Sequence, residues 1–193
     1  MRIGYADPPY PGMARYYRSH PDYAGEVDHA ELIARLERDY DGWVLHTAST
    51  TLAHVLAHCP DGVRVCSWVK TFASWKAGQH VVYAWEPVLV RLARAHVRDP
   101  DNEVPSIQDW IACPITLQRG LTGAKPEPVV HWALRICGAR SSDELDDLYP
   151  GSGAVARAWA TYRDQGVLLT TNGKPYQATL DELAPTPTTE VAP

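Results

Sequence analysis

Apolar positions recur along this chain in two rhythms, and each change of rhythm marks a boundary between elements. Arg2-Ile3-Gly4-Tyr5-Ala6 reads as a short strand that must end at Pro8-Pro9, because proline offers no N–H to a ladder. In "VDHAELIARLERDY", Leu32, Ile33 and Leu36 fall at helical spacing behind Asp28, with Glu31 three residues after it in the pattern of a capping box. "GWVLHTA" predicts a buried strand, and "TTLAHVLAHC" a helix with Leu52, Val55 and Leu56 inward. Two β-rich runs follow, "VRVCSWVK" and "VVYAWEPVLV", and the polar link between them is short enough for an antiparallel hairpin. Glu86, inside the second run, is placed to pair with Lys70 across that hairpin.

Residues 91–124 break the pattern with arginines and prolines, and predict one short helix, "SIQDWIA", capped by Ser106. "KPEPVVHWALRICG" predicts a helix opened by Pro126 and closed by Gly138. "DELDDLYPGSGAVARAWATY" reads as strand, glycine loop and helix, and "GVLLTTNG" as a further strand. Strands alternating with helices imply an α/β fold with a mostly parallel sheet and an antiparallel hairpin at one edge. The expected organisation is one domain over 1–182, with 91–124 as an insertion or short recognition region. The Pro/Thr-rich residues 183–193 are expected to form a disordered tail.

Composition narrows the function classes. A net charge of −5 with 45% hydrophobic and 21% charged residues describes a globular protein and argues against a nucleic-acid coat protein, though not against an enzyme with a locally basic cleft. No run of 18 apolar residues and no basic-then-apolar N-terminus appear, so no membrane partner and a cytoplasmic location are expected. Cys59, Cys66, Cys113 and Cys137 lack metal-ligand spacing, and His54 and His58, at i and i+4, have no third ligand by spacing; no metal is expected.

Two stretches carry candidate chemistry. Asp7 stands at the C-terminal end of the first strand, where open α/β sheets bind ligands, and Tyr10 projects from the same stiff loop. Gly151-Ser152-Gly153 leads from a strand into a helix, so its backbone can approach a ligand beside free helix N–H groups.

Taken in order, Asp7-Pro8-Pro9-Tyr10, Lys125-Pro126-Glu127 and Asp147 through Gly153 resemble the amino-group DNA methyltransferases, in the circularly permuted order of motifs. The likeness spans roughly 1–90 and 124–165 and extends to small members encoded by bacteriophages. It implies a Rossmann-like class I methyltransferase fold, S-adenosylmethionine as cofactor, and DNA as the preferred nucleic-acid partner. It assigns catalysis to Asp7, Pro8, Pro9 and Tyr10, and cofactor binding to Lys125, Asp147, Tyr149, Gly151, Ser152 and Gly153. Asp7 and the Pro8 carbonyl would accept hydrogen bonds from an exocyclic amine, adenine N6 in preference to cytosine N4, while Tyr10 stacks on a base drawn out of the helix. Arg15, Arg18, Arg91, Arg94 and Arg98 are candidate phosphate contacts, with His20 and His96 beside them. The chain departs from the resemblance at Thr170-Thr171, where an acidic residue for the cofactor's ribose is expected, and in the brevity of 91–124. Two alternatives stay open: a catalytically idle fold that binds nucleic acid or a partner subunit, and a methyltransferase acting on RNA, a nucleotide or a small molecule.

Overall fold

A computed structural model describes residues 1–18, 25–72, 78, 80–94, 107–115 and 124–172. Among these residues six strands form one sheet: β1 (Arg2–Ala6), β2 (Gly42–His46), β3 (Arg64–Val69), β4 (Trp85–Arg91), β5 (Trp110–Ala112) and β6 (Glu144–Asp147), in the order β5-β3-β4-β2-β1-β6. β1 pairs in parallel with both β2 and β6, and β3 in parallel with β5. β4 runs antiparallel to β2 and β3, so the sheet is parallel but for one strand, as the α/β reading expected.

Helices cover both faces. α1 (His29–Asp39) is capped by Asp28, whose carboxylate accepts from the N–H groups of Ala30 and Glu31. With Val55 of α2 (Leu52–Leu56), its Leu32, Ile33 and Leu36 bury one face of the sheet against Trp43, Leu45 and Leu89. On the other face α3 (Glu127–Cys137) and α4 (Ala154–Asn172) pack Val129, Val130, Trp132, Leu134, Val155 and Ala158 against Ile3, Tyr5, Val44, Val88 and Val90. α3 starts after Pro126 and stops at Gly138, whose φ of 81° is the left-handed conformation of a helix end. Gly42 is required for a different reason: a Cβ there would lie 2.5 Å from the backbone nitrogen of Ala93. Gly42→Ala is therefore expected to lower stability by about 1–3 kcal/mol, read by urea unfolding; no change would mean the 92–94 segment yields freely.

Two expectations are corrected. "SIQDWIA" is not a helix: Trp110–Ala112 is β5, paired with β3 outside the antiparallel pair. The exposed edge of β3 offers hydrogen-bond partners to Trp110-Ile111-Ala112, and a short segment's own helical preference is too weak to compete. Likewise the predicted strand "GVLLTTNG" is the continuation of α4 as far as Asn172, since extending a formed helix needs no new nucleus. The predicted tail, Ser106, His20, His96 and Arg98 lie outside the described residues. Among the described residues no helix is long and apolar enough to cross a membrane.

Candidate active site

The parallel strands β1, β2 and β6 all end at one edge of the sheet, and the register brings their ends together: Tyr5 lies opposite Asp147, and the Leu148 N–H donates to the Tyr5 carbonyl at 2.9 Å. The Asp7 loop and the glycine loop thus leave neighbouring strands side by side. Pro8 is buried, and Asp7 is about 20% exposed, so the loop is pinned while its carboxylate still meets solvent. Pro11-Gly12 then turns the chain, with Gly12 at φ 78° and the Met13 N–H donating to the Tyr10 carbonyl at 2.8 Å.

Lys125 reaches this loop from the start of α3. Its ammonium lies 2.8 Å from Asp7 Oδ1, 3.2 Å from Glu86 Oε1 and 3.3 Å from the Tyr10 hydroxyl. Burial opposes the charge on Lys125, but Asp7 and Glu86 outweigh it and hold the ammonium protonated well above its usual range. Glu86 also meets Lys70 at 3.1 Å, the pairing expected from the hairpin, and accepts from His46 Nδ1 at 2.9 Å. Burial pushes Glu86 up, yet Lys125, the His46 hydrogen bond and Lys70 bring it well below the ordinary carboxylate range. Tyr5 Oη lies 2.7 Å from His46 Nε2. Glu86 accepts only, so His46 carries its proton on Nδ1; in the neutral ring Tyr5 then donates to Nε2. Asp7, His46 and Glu86 each present a ligand atom within 4.8 Å of the others, a set that could hold a cation. Lys125 already supplies positive charge to two of the three.

The glycine loop is built as its sequence suggests. Gly151 and Gly153 take φ 42° and 70°, and the Gly153 N–H closes a turn on the Pro150 carbonyl at 2.6 Å. Arg157 folds back to donate to the Ser152 carbonyl at 2.9 Å. Asp147, just before the loop, receives the Tyr149 N–H on Oδ1 at 3.2 Å, while its buried Oδ2 has no hydrogen-bond partner among the described residues. Burial, reinforced by the charge of Asp7, raises Asp147 to about 6. An aspartate raised above its unfolded value near 3.8 binds its proton more tightly in the native state, so stability falls as pH rises from about 4 to 6. Asp147→Asn is accordingly expected to be more stable than the parent above about pH 6.5 and nearly equal to it at about pH 4, by thermal unfolding; a constant offset at both pH values would rule out ionisation as the cause.

The predicted phosphate contacts divide. Arg15 and Arg18 follow the Asp7 loop and are exposed, though Arg15 lies over the Tyr16 ring at 5.1 Å. Arg91 and Arg94 do not join them. Because β4 runs antiparallel, its end at Arg91 lies opposite Trp43, at the far edge of the sheet. There Arg91 donates to the Asp61 carbonyl at 2.9 Å, and Arg94 grips Asp143 with two hydrogen bonds of 2.7 and 2.6 Å. Both are structural cations, a correction to the expected cluster. Conversely, sequence reasoning missed His46 and Tyr5 and read Glu86 as bonded to Lys70 alone. A polar residue ending an otherwise apolar strand, as His46 ends "GWVLH", was the available signal.

No family model matches the sequence, and no curated protein does. Solved structures do match in shape: that of the M1.HpyAVI–SAM complex has a TM-score of 0.56 at 17% identity, covering 84% of this chain and 77% of that one. The chain shares that fold. It is a Rossmann-like α/β architecture, as the resemblance implied. A second structure of M1.HpyAVI aligns at 18% identity over 84% of this chain and 76% of that one, with a TM-score of 0.47.

Proposed function

We propose that the chain is an S-adenosylmethionine-dependent methyltransferase that acts on an exocyclic amine of a nucleobase, with adenine N6 in DNA as its substrate. The observation that carries this reading is that the Asp7 loop and Asp147 leave adjacent strand ends, and that Asp147 has a buried oxygen with no donor among the described residues. A cofactor bearing an ammonium and a sulfonium fits that oxygen, which needs a donor or a positive charge. The structure of the M1.HpyAVI–SAM complex supports the same reading through its shared fold.

In this scheme Asp147, with Tyr149 and the backbone of Gly151, Ser152 and Gly153, holds the cofactor, which supplies an electrophilic methyl group. Asp7 and the Pro8 carbonyl accept the two N–H groups of the amine and direct its lone pair outward. Tyr10 covers one face of the base, a contact of about 1–3 kcal/mol. Arg15 and Arg18, exposed just after that loop, would meet phosphates. Such a base must leave a duplex or arrive single-stranded.

The test is calorimetric titration with S-adenosylmethionine of the parent chain and of Asp147→Ala. Binding in the micromolar range, lost in the variant, supports the reading, and affinity in the parent should rise between about pH 5 and 7 as Asp147 ionises. A specific observation favours the idle-fold alternative: α4 stands where the strand bearing the ribose acid was expected. No heat from the parent, with or without DNA, would decide for that alternative.

A further inference from the structure

We infer that Glu86 is a positioning residue for the catalytic loop, acting through Lys125. Its functional consequence rests on the methyltransferase reading; its geometry does not. An ammonium has three N–H donors, and three acceptors lie around that of Lys125: Asp7 Oδ1, Glu86 Oε1 and the Tyr10 hydroxyl. No donor of Lys125 is left for a cofactor carboxylate, so the role that resemblance assigns to it shifts from binding the cofactor to holding Asp7 and Tyr10. Glu86 is what fixes the ammonium in place. Its Oε1 is shared between Lys125 and His46 Nδ1, and its Oε2 is held by Lys70.

The connections form a closed circuit. From Tyr5 in β1 they pass to His46 at the end of β2, to Glu86 near the start of β4, to Lys125 before α3, and back to Asp7 two residues beyond Tyr5. Three strands and a helix start thus triangulate one carboxylate. Two cations and two carboxylates, Lys70, Lys125, Glu86 and Asp7, balance within the circuit, which lets it sit largely out of water. With one oxygen of Asp7 held by Lys125, the other would be the one that accepts from an incoming amine. Loss of Glu86 would leave Lys125 free to follow Asp7 rather than to hold it. A displacement of about 1 Å at such a group lowers turnover on the order of 100-fold.

The experiment compares the parent chain with Glu86→Gln, which keeps size and loses charge. His46→Gln serves as a second variant should the first fail to fold, as judged by circular dichroism. Three quantities are read: the ¹⁵Nζ signal of Lys125, assigned through Lys125→Met; the calorimetric Kd for S-adenosylmethionine; and tritiated methyl transfer to a single-stranded DNA oligonucleotide of mixed sequence. A buried ammonium with three acceptors exchanges its protons slowly and gives a signal at neutral pH. The expected result is loss of that signal in Glu86→Gln, a fall in turnover of about 100-fold, and a cofactor Kd within about threefold of the parent. An unchanged signal and turnover would overturn the inference, as would cofactor affinity falling as far as turnover. If the parent itself takes up no S-adenosylmethionine, the methyltransferase reading fails, and the ¹⁵Nζ signal alone supports or overturns the hold of Glu86 on Lys125.

Discussion

Lys125→Met is expected to lower the unfolding free energy by about 3–5 kcal/mol at about pH 7.5, the usual effect of removing one partner from a buried ion pair. The side chains of Lys125 and Glu86 are each only 5% exposed, so solvent would do little to replace the lost charge. The pH dependence has a definite sign. The raised pKa of Lys125 means that its stabilisation is fully present well below its unfolded value of 10.5, hence throughout the neutral range. Glu86, held well below 4.5 in the parent, contributes stability above that value which is lost as acid protonates it. Without Lys125, Glu86 and Asp7 face one another with less positive charge between them, and protonation becomes favourable. The gap between parent and variant should therefore narrow from about pH 7.5 to about pH 5, as measured by urea unfolding at both. An equal gap at the two pH values would mean that lost packing, not lost charge, explains the result.

On the proposed methyltransferase reading, Asp7→Ala is expected to reduce methyl transfer to the DNA oligonucleotide on the order of 10³-fold, because it removes the acceptor that would fix the amine and direct its lone pair. Binding of S-adenosylmethionine should stay within about threefold of the parent, since Asp147 and the glycine loop are untouched. The same substitution has a second reading through Asp147. Burial is the main reason that Asp147 titrates at about 6, and the charge of Asp7 adds to it. Without Asp7, the pH at which cofactor affinity rises should move down. Full turnover in Asp7→Ala would remove this residue from the chemistry; an unmoved pH profile would show the two carboxylates to be independent.

The site was legible where neighbouring residues decide local structure. Two prolines after a strand say where that strand stops, so Asp7 could be placed at its end. Pro126 and Gly138 bracket α3, and Asp28 caps α1, because caps and breakers act within a few residues. Hairpin pairing of Glu86 with Lys70 was likewise within reach, since β3 and β4 lie close in sequence. Legibility failed for short segments whose fate is set by distant partners. Trp110–Ala112 became a strand because β3 had an open edge, and Thr170-Thr171 joined a helix already running. Arginine clustering also misled, because an antiparallel β4 carries Arg91 to the edge opposite the site.

By itself, then, the sequence determined most of the alternation of strands and helices, the place where each chemical loop leaves its strand, and the glycine loop before α4. Periodicity, caps and prolines act over a handful of residues and need no knowledge of the fold. Only the tertiary structure decided that Lys125 meets the Asp7 loop, and that Glu86, His46 and Tyr5 stand behind it. Those contacts join positions 41, 40 and 115 residues apart, and neither spacing nor composition encodes a hydrogen bond across such distances. Strand order and register bring these side chains together, and the low polarity of the packed interior then makes each charge depend on its neighbours.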